Sequence, residues 1–249
     1  MKRTLLLCIA LAALVAAIGG CGSSQAPPPN VDMLYLDPEF DTMDIRMIGI
    51  LPLANTTGEA DAERILGNAI EANLASRTDY SFMTAQMLRR KCSASGLSPD
   101  LESFRRQWVH TRKYDSALGR KLANELGIDA FLVGEVTKWE AVDLPATQTG
   151  YPHSDVSCRM LLMHGRTGNK LWEGVSDKVV KGPYFDPSQE EITGYVDEAG
   201  IARGSGGQPV RTVEAPLIRE VATQVAGDLV RALPEKKGAE TEAGTEETE

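Results

Sequence analysis

The chain is poor in the residues that carry covalent or metal chemistry. It holds three histidines, His110, His153 and His164, and four cysteines in 249 residues. No H-E-x-x-H, C-x-x-C or G-x-S-x-G spacing occurs, so zinc peptidase, dithiol and nucleophile-elbow chemistry have no starting point. His164 and Cys158 share strand parity but stand six residues apart, roughly 20 Å along an extended strand, too far for a dyad or a shared metal. A pairing of Cys92 with His110 stays open, because the segment between them has no clear period. Arg166-Thr-Gly-Asn-Lys170 lacks the glycine spacing and following helix of a phosphate loop and reads as a hairpin turn. The expectation is a protein that is not an enzyme, with no catalytic, cofactor-binding or metal-binding residues and no cofactor.

Positive charge is scarce too. The formal net charge is −9, so a duplex nucleic acid would be repelled. The densest basic clusters, Arg89-Arg90-Lys91, Arg105-Arg106 and Arg112-Lys113, read as solvated helix faces. No apolar run reaches the roughly 20 residues that span a bilayer. The oily stretch Leu5–Ile18 has 14 residues, follows the basic pair Lys2-Arg3 and ends in small residues. It reads as a signal peptide, residues 1–20.

The end of this stretch is distinctive. Ile18-Gly19-Gly20-Cys21 resembles the lipobox of bacterial lipoproteins. That resemblance implies cleavage before Cys21 and acylation of the Cys21 thiol and amine. Three acyl chains exceed the two-signal threshold for stable anchoring, so the membrane is met through an N-terminal lipid anchor. Gly22 stands where an inner-membrane retention signal would have Asp, which favours the outer membrane, periplasmic face. The next residues, with Pro27-Pro28-Pro29, cannot build a core and favour a semi-rigid polyproline spacer. Residues 21–44 are read as a flexible tether and 45–233 as the folded domain. Residues 234–249, rich in Glu, are read as a disordered acidic tail. Cys92 and Cys158 remain in an oxidising compartment, either paired as a disulfide or as two separate buried thiols.

Within the body, Ile45–Leu53 reads as a buried strand ended near Pro52. Ile65, Leu66, Ala69, Ile70 and Leu74 mark one face of a helix capped by Asp61. Tyr80–Met83 is a short strand and Ala85–Lys91 a helix. Residues 93–112 are ambiguous, with helix around Leu101–Trp108. Asp115–Leu126 is a helix stopped by Gly127. Three strands come next, Ala130–Trp139, Val156–His164 and Lys170–Val180. After a glycine-rich stretch, Arg211–Leu233 closes the body as a helix. The order β-α-β-α-(α)-α-β-β-β-α gives a single α/β domain. Its sheet is mixed, one βαβ crossover followed by a β-meander, and packs against helices.

Three blocks carry a family resemblance. "IGILPLANTTGEADAERILGNAIEANL" (48–74), "LANELGIDAFLVGEVTKWE" (122–140) and "MLLMHGRTGNKLWEG" (160–174) are similar to segments of one superfamily of envelope proteins. It includes the curli-secretion lipoprotein, the lipoprotein activator of penicillin-binding proteins and the N-terminal domain of TolB. The resemblance implies a non-enzymatic envelope protein, and Trp172 matches the family's core Trp. Members act as pores, as activators of an envelope synthase or as docking parts of larger machines. The two insertions 140–155 and 181–211 lack the alternation of a membrane hairpin, so a tethered binding or accessory module is the preferred reading. It would recruit or regulate an envelope protein partner, such as a peptidoglycan synthase or an assembly complex. A secretion-channel subunit and an envelope hydrolase are the alternatives, and the oligomeric state is open. Candidate partner contacts are the loop aromatics Tyr151, Tyr184, Phe185 and Tyr195, with Glu135, a carboxylate set in an apolar strand.

Overall fold

The computed structural model describes residues 28–145, 147–187, 194–196, 202–204 and 212–236. The stretch read as a signal peptide, Cys21 and most of the stretch read as an acidic tail lie outside them. The elements are β1 (Asp32–Leu36), a 3-10 turn (Phe40–Thr42), β2 (Met47–Ile50), β3 (Ala54–Asn55), α1 (Ala62–Leu74), β4 (Ser81–Met83), α2 (Ala85–Ala94), α3 (Ser98–Thr111), α4 (Ser116–Leu126), β5 (Ala130–Val142), β6 (His153–His164), β7 (Lys170–Lys181), β8 (Gly194–Val196), β9 (Ala202–Gly204) and α5 (Ile218–Ala232).

The main sheet runs β1-β7-β6-β5-β2-β4, with β3 also on β5. β2 pairs parallel with both β4 and β5, whereas β5, β6, β7 and β1 run antiparallel in turn. The fold is therefore the mixed α/β sheet expected from the order of elements. Pro52 explains why one predicted strand becomes two. It has no N–H to give to the ladder, so bonding to β5 ends with the Leu51 N–H, which donates to the Leu132 carbonyl at 3.0 Å, and pairing resumes at Ala54.

Two cores flank the sheet. On one face α1 and α5 bury Leu66, Ile70, Leu74, Val225 and Leu229 against Leu132, Val156, Cys158, Leu162 and Trp172. On the other, α2, α3 and α4 bury Leu88, Cys92, Phe104, Trp108 and Leu122 against Phe131, Val133 and Leu161. The alternation of a strand sends neighbouring residues to opposite cores, as in Leu132 and Val133. Cys92 and Cys158 thus lie on opposite sides of the sheet, and both are free thiols. The disulfide left open by the sequence is not made. Burial pushes both thiols up in pKa.

Several boundaries differ from the expectation. Residues 32–36 fall inside the stretch read as tether, yet they pair antiparallel with β7 as the outermost strand. The ambiguous segment is a full helix, α3, with Pro99 in its first turn. The closing helix begins at Ile218, seven residues later than expected from Arg211; Pro216 precedes it. Among the described residues no helix is long and apolar enough to cross a membrane.

Candidate partner-binding surface

β5, β6 and β7 are long strands whose far ends carry the two insertions. There the chain is pinned by backbone bridges rather than left loose. Gly150 and Phe185 exchange N–H···O bonds of 3.0 and 2.9 Å, and the Gly182 N–H donates to the Pro152 carbonyl at 2.7 Å. Leu144 and Val213 exchange a second pair, 2.9 and 3.0 Å. The Ala215 N–H donates to the Asp143 carboxylate at 2.7 Å.

This scaffold sets Tyr151 and Tyr184 together, ring centroids 5.1 Å apart and tilted by 58°. Tyr151 is 47% and Tyr184 53% exposed. Lys181 places its ammonium 5.5 Å from the Tyr151 ring centroid, a cation–π distance. Phe185 is half-buried beneath the bridge. Of the four predicted aromatics, the fold brings three to one place. Tyr195 sits in the small β8–β9 pair opposite Arg203, and its side chain lies outside the described residues.

Val142 and Val179 join the patch and were missed by sequence reasoning. They are 43% and 50% exposed and share a sheet face, because Val142 opposes His153 and Val179 opposes Asp155 two residues further along β6. The available signal was strand length. β5 runs three residues past Trp139, so Val142 is a strand residue and not part of a loop.

Glu135 belongs elsewhere. It lies sixteen positions before Tyr151 and pairs with Arg159 in the middle of the sheet. It is 8% exposed, where an unpaired carboxylate would be costly. Arg112 Nε donates to its Oε2 at 2.6 Å and an Arg159 amine to its Oε1 at 3.4 Å. Arg159 and Lys170 both bind Glu173, and the Lys170 ammonium lies 4.8 Å from the Tyr35 ring centroid. The result is a charged ladder from the end of α3 across β5, β6 and β7 to β1. Burial pulls the Glu173 carboxyl up, but hydrogen bonds and charge from Lys170 and Arg159 outweigh it, leaving the group below the ordinary carboxylate value. Every member is satisfied by another, the pattern of a structural network and not of a poised acid or base.

His164 is equally committed. His164 Nδ1 lies 3.2 Å from the Arg166 N–H and 3.3 Å from the Thr167 N–H, shaping the β6–β7 turn. Burial and the nearby Arg166 push its pKa down, which suits a neutral acceptor. Cys92 is buried in the α2–α4 core whereas His110 is exposed. Among the described residues no group of three His, Cys, Asp or Glu could hold a metal ion.

No protein-family model matches the chain, and no curated protein matches it. Solved structures resemble it weakly and broadly. The lipoprotein GNA1162 of Neisseria meningitidis is 19% identical, with a TM-score of 0.41 over 57% of this chain and 88% of that one. The PelC dodecamer of Paraburkholderia phytofirmans is 12% identical, with a TM-score of 0.40 over 81% and 96%. The C-terminal domain of LpoB from Escherichia coli is 15% identical, with a TM-score of 0.37 over 53% and 82%. The likeness is weak in each case and singles out no family.

Proposed function

We propose that this protein is a lipid-anchored, non-catalytic accessory protein of the bacterial envelope, and that it holds a protein partner through the far end of its sheet. The anchor rests on Ile18-Gly19-Gly20-Cys21, and the outer-membrane, periplasm-facing placement on Gly22. The observation that carries the contact is the Tyr151–Tyr184 pair, half exposed yet fixed between two bridged loops. Tyrosines held this way offer large contact area at little conformational cost, the character of interface hot spots. Val142 and Val179 extend the apolar area, and Lys181 supplies a cation at its edge.

The test is a Tyr151→Ala, Tyr184→Ala double variant of the lipidated protein, assayed for its native envelope complex by blue-native electrophoresis and for melting temperature. The complex is expected to be lost while the melting temperature changes little, because both side chains are half exposed. A complex that survives intact refutes the contact.

A further inference from the structure

β2 is the middle of three parallel strands. α1 leaves β2 for one face of the sheet, and the chain returns from β4 through α2, α3 and α4 on the other. The carboxyl end of β2 is therefore a topological switch point, where open α/β sheets leave a crevice. A cleft of about 690 Å³ opens there, within the range of roughly 300–1,000 Å³ typical of small-ligand sites. A second cavity, about 320 Å³, adjoins it and shares Pro52, Ala85, Arg89 and Arg105.

The two walls differ in sign. The α1 wall carries Glu63 and Glu71. Among the described residues both accept from neutral donors only: Asn55 Nδ2 reaches Glu63 at 2.7 Å, and the Ala85 N–H reaches Glu71 at 3.0 Å. The α2–α3 wall carries Arg89 and Arg105. Arg105 pairs with Glu102, one turn away on its own helix, at 3.0 Å. Arg89 has no hydrogen-bond or ion-pair partner among the described residues, and neither have the amides of Asn68 on the α1 wall and Gln86 on the α2 wall. Arg64 also borders the cleft but is held by Asp61 at 2.9 Å. In the adjoining cavity Leu88 and Leu101 supply an apolar lining.

We infer that this crevice binds a short zwitterionic peptide, its carboxylate on Arg89 and Arg105 and its ammonium toward Glu63 and Glu71. A phosphate dianion would match the basic wall but face two carboxylates across the cleft. A plain amine would match the acidic wall but face two guanidiniums. A peptide with both ends free answers both walls. Its amides meet the unpartnered amides of Asn68 and Gln86, and an apolar side chain enters the pocket of Leu88 and Leu101.

The test is calorimetric titration of the full detergent-solubilised protein with Leu-Ala-Ala, and with the same tripeptide acetylated and amidated at its ends. The free peptide is expected to bind, and the blocked peptide to bind at least about tenfold more weakly. Arg89→Met is expected to weaken the free peptide by a similar factor at unchanged melting temperature, since Arg89 is exposed and unpaired. Equal binding of free and blocked peptide overturns the inference. So does full affinity in Arg89→Met, or no binding of the free peptide at about 10 mM, well above the millimolar range of weak ligands. None of these outcomes depends on the tyrosine surface.

Discussion

Arg77 shows how much one residue can hold. One guanidinium nitrogen donates to the Val230 and Leu233 carbonyls at 2.9 and 2.7 Å, and another to Pro234 at 3.0 Å. The same group pairs with Asp79, both side chains being largely buried. It thus caps the orphan carbonyls at the end of α5 and ties them to the loop before β4. Tyr80 adds a hydroxyl donor to Pro234 at 3.0 Å, and burial pushes its pKa up to about 12. Arg77→Ala would strand three carbonyls and a carboxylate, so a loss of about 3 kcal/mol is expected in urea unfolding. Nothing in the local sequence around Arg77 marks this capping role, because the carbonyls it caps lie more than 150 residues away. Glu173 gives a pH signature. Its folded pKa is depressed, so its stabilisation is present above the unfolded carboxylate value of about 4.3 and is lost as pH falls through the folded value. Melting temperatures of wild type and Glu173→Gln are therefore expected to differ most at neutral pH and to converge in acid. A constant difference down to pH ~3 would remove the ladder's claim on acid stability.

Elements explain where the sequence could be read and where it could not. α1 and α4 were legible because their apolar residues repeat at helical spacing and the ends of α4 carry Asp115 and Gly127; Asp61, expected to cap α1, makes no cap hydrogen bond and pairs with Arg64 instead. The Asp115 carboxylate accepts from the Ala117 and Leu118 N–H groups at 3.0 Å, as a cap should. The turn between β6 and β7 was legible from Gly and Asn, and Gly168 does adopt φ of 75°. β1 was not legible. Asp-Met-Leu-Tyr-Leu is only five residues long and comes directly after the proline spacer. Its exposed Met33, Leu34 and Leu36 show no buried alternation. What makes it a strand is the free edge of β7, which only the assembled sheet provides. The tyrosine cluster was legible as a set of aromatics but not as a place, since bridges between distant loops create it. Gly134 illustrates the same dependence. A Cβ there would stand 2.8 Å from Leu53 and 2.9 Å from the Arg159 carbonyl, a clash with backbone that cannot yield cheaply. Gly134→Ala is expected to cost about 1–3 kcal/mol in urea unfolding, as β5 is forced away from β6.

If the chain is anchored as proposed, the pairing of β1 with β7 changes how far the folded body can stand from the membrane. With the sheet beginning at Asp32, the spacer after Cys21 shortens to residues 22–31, a reach of about 35 Å. On the proposed anchoring, the body stays close to the lipid surface. Removing residues 31–36 would free the β7 edge for pairing with other chains, so such a truncation is expected to melt lower and to gain oligomers in light scattering. Charge is also divided across the molecule. Residues 85–126 hold nine Lys/Arg against four Asp/Glu, a surplus of five positive charges (9 − 4), within a chain of net −9. The three-helix layer is thus a basic side on an acidic protein, whereas the tyrosine cluster lies at the opposite end of β5. The most direct measurement is site-specific photo-cross-linking in intact envelopes, with the reactive group at position 184 and, as control, at Arg90 on the exposed face of α2. A discrete adduct from 184 that disappears with Tyr151→Ala, and none from 90, is the expected result. An adduct from 90 with none from 184 would contradict the tyrosine surface as the partner contact.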